Sequence, residues 1–346
     1  MNITIKDVAR EANVSTSTVS RVISNSDKIS DKTKKKVNEV IKKLNYTPNI
    51  IARGLVKNRT GILAVVLPTE AEDIFSNPFF IQAMKGISIC SQKEEYHIMY
   101  AFKQQEKDEK ECIDSFIRSN LVDGICLLNS KENDEMIEYL KKIGFPFVVI
   151  GRPDEIENVL WVDNDNEKAM YDLVQKFISY GHREIAFIGA NSNLNVSRDR
   201  LKGYKKALID NKIEVKSNLI HEADEFNKIS GRNAAKKLLE TSKPTAIVTT
   251  DDLLAFGVQE ILSKFKINNI SIAGFNNIPM SEYQNPKLSS VDINAEKLGF
   301  YATQLIINKL EGRVNESNSY IIDTKFIERE SLKKINSQNA NACTNL

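Results

Sequence analysis

TIKDVAREANVSTSTVSRVISN, residues 4–25, sets apolar side chains at Ile5, Val8, Ala9 and Ala12, the i, i+3, i+4, i+7 spacing of one helix face. Thr4 stands where a cap is needed for a helix over about residues 5–12, and a turn at Asn13 and Val14 follows. Ser15 caps a second helix whose Val19, Val22 and Ile23 continue the same core. Two short helices joined by a tight turn make a helix-turn-helix. Further on, Ser30 caps a third helix with Val37, Val40, Ile41 and Leu44 inward and Lys32, Lys34, Lys35, Lys36, Lys42 and Lys43 outward. These three helices bury one small core.

Charge divides the chain in the same place. Residues 1–60 hold thirteen Lys and Arg against five Asp and Glu, a balance of +8, whereas the other 286 residues stand at −6 within a net charge of +2. A basic head on an acidic body fits a nucleic-acid binder whose body does something else, although basic helix faces are also commonly just solvated.

From Gly61 onward the pattern changes to short apolar runs, ILAVVLP, YHIMYAF, DGICLLN, FPFVVIG, NVLWVD, EIAFIGA, TAIVTTD and ISIAGF, separated by amphipathic stretches of helical length. Such runs mean parallel strands buried on both faces. With 346 residues the chain is too long for one core, and eight or more strands exceed one comfortable sheet. The polar segment VDNDNEK at 162–168 falls near the middle and points to two α/β lobes. Ligands of paired doubly wound lobes sit at the carboxyl ends of the strands. The expected organisation is a head at 1–47, a linker at 48–60 and a body at 61–335. The body divides into one lobe at about 61–161 and 292–326 and another at about 162–291, with a disordered tail at 336–346.

Other classes are disfavoured. No apolar run approaches the roughly 18 to 20 residues of a membrane span. Lys6, Asp7, Arg10 and Glu11 interrupt the start where a secretory signal would be apolar, so a cytoplasmic location is expected. Cys90, Cys112, Cys126 and Cys343 form no C-x-x-C pair and read as reduced thiols. His97, His182 and His221 have no metal-ligand spacing, and His182 in GHREI reads as structural. No G-x-S-x-G or phosphate-cradling glycine loop occurs, so neither an enzyme nor a resident cofactor or metal is expected.

Residues 4–25 and the following ISDKTKKKVNEVIKKLNYTPNIIARGLVKNRTGILAVVLP (29–68) resemble the LacI/GalR family of bacterial transcription regulators. So do GHREIAFIG (181–189), SRDRLKGY (197–204), TTDDLLAFG (249–257) and SIAGFNN (271–277). LPTEAEDIFSNPFF (67–80) is most similar to the maltose-operon repressors of Gram-positive bacteria within that family. The resemblance implies an all-α helix-turn-helix head on an α/β body of two doubly wound, periplasmic-binding-protein-like subdomains. It also implies a homodimer on palindromic operator DNA and a sugar effector, maltose or a related α-glucoside. A transport-binding protein is opposed by the basic head.

Carried over residue by residue, the resemblance gives base contacts to Thr16 and Ser17 at the start of the second helix and to Arg21 one turn on. Arginine bonds guanine bidentately, whereas Thr and Ser discriminate weakly and could touch phosphates alone. Thr4, Ser15, Ser20 and Asn25 fit phosphate contacts. PNIIARGLV (48–56) resembles the family's hinge helix, with Ala52 and Leu55 facing DNA. Pro48 opens it, Gly54 weakens it, and Leu55 matches a leucine that wedges into the minor groove. A linker leucine buried on its own body is the alternative. In the body, Arg200 stands where the family holds ligand oxygens, Asp251 and Asn276 where hydroxyls are bonded, and Phe226 where a ring is stacked. Asn276 replaces the aspartate common there. Phe79 and Phe80 fit an upper wall or ordinary core, and Arg152 and Asp163 follow strands that end near the cleft. A catabolite-control regulator, with a phosphorylated phosphocarrier protein as corepressor, is the alternative within the family. Gln304 stands where such regulators have an arginine.

Overall fold

The computed structural model describes residues 3–23, 26–46, 59–67, 77–102 and 109–335. Two compact units divide the chain, residues 1–62 with 116–123, and the remainder.

In the first unit, α1 (Ile5–Glu11), α2 (Thr16–Ile23) and α3 (Asp31–Lys43) surround Val8, Ala9, Ala12, Val19, Val22 and Val37, with Ile5, Val14, Val40, Ile41 and Leu44 packed against them. Asp7 accepts hydrogen bonds from the Thr4 backbone N–H at 3.0 Å and from its hydroxyl at 2.7 Å. Those two bonds hold its carboxyl below the usual carboxylate range. Asn13 takes a left-handed conformation (φ 48°), and the Val14 N–H closes back on the Ala9 carbonyl at 3.0 Å, which ends α1 and turns the chain into α2. Ser15 accepts from the Thr18 N–H at 3.1 Å and Ser30 from the Thr33 N–H at 3.4 Å, so both expected serine caps form. Loss of such a cap costs about 1 kcal/mol.

The second unit holds two six-stranded sheets. One contains β1 (Ile62–Leu67), β2 (His97–Phe102), β3 (Gly124–Leu127), β4 (Phe147–Ile150), β5 (Leu160–Asp163) and β11 (Ser319–Ile321), in the order β2-β1-β3-β4-β5-β11. The other contains β6 (Ile185–Ala190), β7 (Ile220–Ala223), β8 (Ala246–Thr249), β9 (Ser271–Phe275), β10 (Ser289–Asp292) and β12 (Lys325–Ile327), in the order β7-β6-β8-β9-β10-β12. Each begins with the 2-1-3-4-5 order of a doubly wound sheet. β1, β3, β4, β5 and β11 run parallel, as do β7, β6, β8, β9 and β10, and β12 closes its sheet antiparallel. Leu63, Ala64, Val65 and Leu67 of β1, like Ile185, Ala186 and Ile188 of β6, have no exposed surface. Burial on both faces is why these strands read as unbroken apolar runs.

The helices that alternate with these strands are α4 (Pro78–Lys93), α5 (Glu109–Arg118), α6 (Glu135–Ile143), α7 (Asn166–Ser179), α8 (Asn195–Asp210), α9 (Lys228–Thr241), α10 (Asp252–Lys264) and α11 (Ala295–Leu310). α11 packs on α4 and on β3, β4 and β5, although the chain has just left β10 of the other sheet. The chain therefore crosses between lobes after β5 and after β10. It crosses a third time after β11, because Lys325–Ile327 pairs with Ser290–Asp292 of the second sheet. Reading residues up to 326 as part of the first lobe missed that return, since a three-residue strand is too short to show a period.

Candidate functional site

On α2, Thr16, Ser17 and Arg21 are exposed and Ser20 is half-buried, while Val19 and Val22 enter the core. At about 100° per residue the four polar positions share one side of the helix, opposite the buried valines. The Ser15 hydroxyl lies 2.7 Å from that of Ser17 and 2.8 Å from that of Thr18, so the first turn presents a cluster of hydroxyls. Thr4 is exposed at the start of α1. Lys32, Lys35, Lys36, Lys42 and Lys43 lie on α3, where Lys43 pairs with Glu11 of α1 at 2.7 Å. Asn25, Pro48, Ala52, Gly54 and Leu55 lie outside the described residues.

In the second unit, a cavity of about 350 Å³ opens at the carboxyl ends of both sheets. Leu128 to Lys131 follow β3, Ile150 and Gly151 end β4, and Asp163 and Asn164 end β5. From the other lobe come Asn191 after β6, Asp224 to Asn227 after β7, Thr250 and Asp251 after β8, and Asn276 after β9. Of the residues expected in the cleft, Phe79, Phe80, Asp163, Arg200, Phe226, Asp251 and Asn276 line it. Arg152 does not. Its backbone N–H donates to Asp163 at 2.9 Å, its carbonyl accepts from Ser130 and Asn195, and its guanidinium lies 5.7 Å from the Trp161 ring, lining a separate groove.

Arg200 reaches the cavity from the second turn of α8 and is 4% exposed. Its Nε donates to Asn166 Oδ1 at 3.0 Å, its Nη1 donates to the Thr250 carbonyl at 2.5 Å, and its carbon Cζ lies 4.2 Å from the Phe275 ring centre. Burial lowers Arg200 to about 10, against the pull of Asp163, Asp251 and Asp252. One Asp251 oxygen accepts the Leu253 N–H at 2.7 Å, capping α10, and the other accepts Asn276 Nδ2 at 2.7 Å. Burial and the adjacent Asp252 carboxyl push Asp251 well above the usual carboxylate range. Asp252 itself points into the protein, accepting from the Ile278 N–H and the Ser281 and Ser290 hydroxyls. Burial pushes Asp163 up to about 6, although it accepts from Asn164, Arg152 and Asn166. Phe79 and Phe80 meet edge to face at 5.2 Å.

Sequence reading missed Asn77, Lys131, Asn164, Asn191, Asp224, Glu225 and Thr250 as lining residues. The position of each after a strand, or as the cap of the next helix, was the available signal. Thr250 stands out because its buried hydroxyl has no hydrogen-bond partner among the described residues. Such a group is costly unless something supplies a partner.

Residues 4–49 match the model described as bacterial regulatory proteins, lacI family, and residues 174–332 match a periplasmic binding protein-like domain. The HTH-type transcriptional regulator MalR of Streptococcus pneumoniae serotype 4 is 36% identical over 338 residues, covering 96% of this chain and 100% of that protein. The chain belongs to the LacI family. Catabolite control protein A of Priestia megaterium is 33% identical over 338 residues, again 96% of this chain and 100% of that protein. A solved complex of the transcriptional regulator CelR with cellobiose superposes with a TM-score of 0.75 at 28% identity, covering 95% of this chain and 100% of that one. This LacI-family member is a sequence-specific DNA-binding regulator and not an enzyme. No helix among its described residues is long and apolar enough to cross a membrane.

Proposed function

We propose that the protein is a cytoplasmic, homodimeric repressor of a maltose or α-glucoside utilisation operon, released from its palindromic operator when sugar fills the cleft. The observation that carries this reading is the meeting of Arg200, Asp163, Asp251, Asn276 and Phe226 around one cavity at the strand ends. Carboxylates, an amide and a guanidinium match vicinal hydroxyls, and an aromatic face suits the C–H surface of a sugar ring. The cavity, about 350 Å³, lies at the small end of the usual range for small-molecule sites, roughly 300 to 1,000 Å³. MalR among the relatives and a cellobiose-bound structural neighbour support a glucose disaccharide.

Thr16, Ser17 and Arg21 read bases in this proposal, Thr4, Ser15, Ser20 and Asn25 hold phosphates, and Ala52 and Leu55 form the hinge contact. In this proposal the dimer would cover exposed apolar side chains on α4, Ile81 and Ile89, and in the second lobe, Ile229, Met280 and Tyr283. The test is fluorescence anisotropy of operator DNA titrated with the full chain, with and without maltose, at low and physiological salt. Maltose should weaken binding, and salt should weaken it steeply because many lysines and arginines meet phosphates. Maltose that tightened binding, or an affinity flat with salt, would overturn the reading.

The catabolite-control reading is favoured by the similarity to catabolite control protein A. Half-buried Gln304 on α11 opposes it, because an amide cannot supply the charge-assisted, bidentate bond that an arginine gives a phosphoryl group. Co-sedimentation with the phosphorylated phosphocarrier protein distinguishes the two.

A further inference from the structure

We infer that the cleft selects a neutral sugar and excludes its phosphorylated form, with the carboxylates of Asp224 and Glu225 acting as the anion barrier. This rests on the sugar-effector reading above and narrows its ligand class. Among the described residues, four carboxyl side chains line the cavity, Asp163, Asp224, Glu225 and Asp251, against two cations, Lys131 and Arg200.

The two cations are poorly disposed toward a phosphoryl group. Arg200 already gives Nε and Nη1 to Asn166 and Thr250 and lies against Phe275, with Asp163 foremost among the carboxyls that act on its charge. Two of its donors are therefore engaged before a ligand arrives. Lys131 is half-buried and lines both the cavity and the outer groove beside α6, which puts it at the rim. A phosphate monoester carries about 1.5 to 2 negative charges at neutral pH and is ordinarily met by several Arg or Lys side chains or by open helix N-termini. Here the first turns of α4, α9 and α10 are already capped, by Asn77, Asn227 and Asp251. At α8, which has no side-chain cap, the first N–H donates to the Ser130 carbonyl at 3.2 Å.

Asp224 and Glu225 complete the barrier. Both follow β7, line the cavity and remain exposed, with Glu225 accepting from Asn227 Nδ2 at 2.7 Å. Neither has an ion-pair partner among the described residues, so each presents its charge to an approaching ligand. Hydroxyls of a neutral sugar donate to carboxylates without penalty. A phosphoryl group meets like charge at the rim, from Asp224 and Glu225.

Isothermal titration of the full chain with two matched pairs, maltose with maltose 6′-phosphate and trehalose with trehalose 6-phosphate, tests this. In whichever pair binds, the neutral member should bind at least about 100-fold more tightly at low salt, and the ratio should shrink as salt screens the repulsion. The double variant Asp224→Asn, Glu225→Gln should cut that ratio by about tenfold while keeping side-chain size. A phosphorylated member that bound as tightly as its neutral partner would overturn this inference and leave a sugar effector standing. If none of the four bound, the sugar reading itself would fall and take the inference with it. A ratio unchanged in the variant would overturn the assignment to Asp224 and Glu225.

Discussion

Arg200 and Arg152 are both arginines expected near the cleft, and only one lines it. What separates them is local. Arg200 rises from α8 at the mouth of β6, whereas the Arg152 backbone N–H is used to orient Asp163 and its guanidinium turns to Trp161. A side chain's direction after a strand depends on neighbours far along the chain, so residue type and position could not tell these two apart. Asp163 also carries a pH signature. Its folded value, about 6, lies above the unfolded value of about 3.9, so the folded state keeps a proton that the unfolded chain has released. Its stabilising contribution is therefore full below about pH 4 and is lost as pH rises to about 6. Thermal unfolding of wild type and Asp163→Asn across that window should show wild type losing about 1 to 3 kcal/mol relative to the variant. Parallel profiles would mean that the carboxyl ionises alike in both states. On the DNA side, Arg21→Ala should relax base preference at a symmetric pair of operator positions, at about 1 to 3 kcal/mol per contact. Equal losses on every sequence would make Arg21 a phosphate ligand.

Among the elements, α4 and α11 meet through glycines. A Cβ on Gly299 would stand 2.0 Å from the Ala83 carbonyl oxygen, and one on Gly86 would stand 1.9 Å from that of Glu296. The two backbones touch there. Alanine is the better helix former by about 1 kcal/mol, but overpacking commonly costs about 1 to 3 kcal/mol and should win. Gly299→Ala is therefore expected to lower the midpoint of urea or thermal unfolding, and an unchanged midpoint would show that the helices separate freely. Elements differed in how plainly the sequence displayed them. The helices of the head and the central strands were evident because each buries a whole periodic face. β7 (IHEA), β10 (SSVD), β11 (SYI) and β12 (KFI) were not, being short, half-exposed or serine-rich strands held by their partners.

At the scale of the whole molecule, function in this reading is a coupling between operator and sugar. Linkage requires that if sugar weakens operator binding by some factor, operator weakens sugar binding by the same factor, with a typical coupling of about 1 to 3 kcal/mol. Calorimetric titration of maltose into the free protein and into its operator complex gives one ratio, and anisotropy with and without maltose gives the other. Unequal ratios would show that a third equilibrium, such as dimer dissociation, takes part.

The sequence by itself determined the class of each part: three capped helices around one core, a basic head, parallel strands buried on both faces, and motifs that identify the family. These are local periodicities and short spacings, and a contiguous stretch of chain contains them entirely. Only the tertiary structure decided that the chain crosses between lobes a third time, that Arg152 leaves the cleft, and that Asp224, Glu225 and Thr250 join it. Those outcomes depend on which strand ends meet in space, and residues from Asn77 to Leu298 contribute to one cavity. No window of sequence spans that distance, so the balance of charge around the ligand emerges when the two lobes come together.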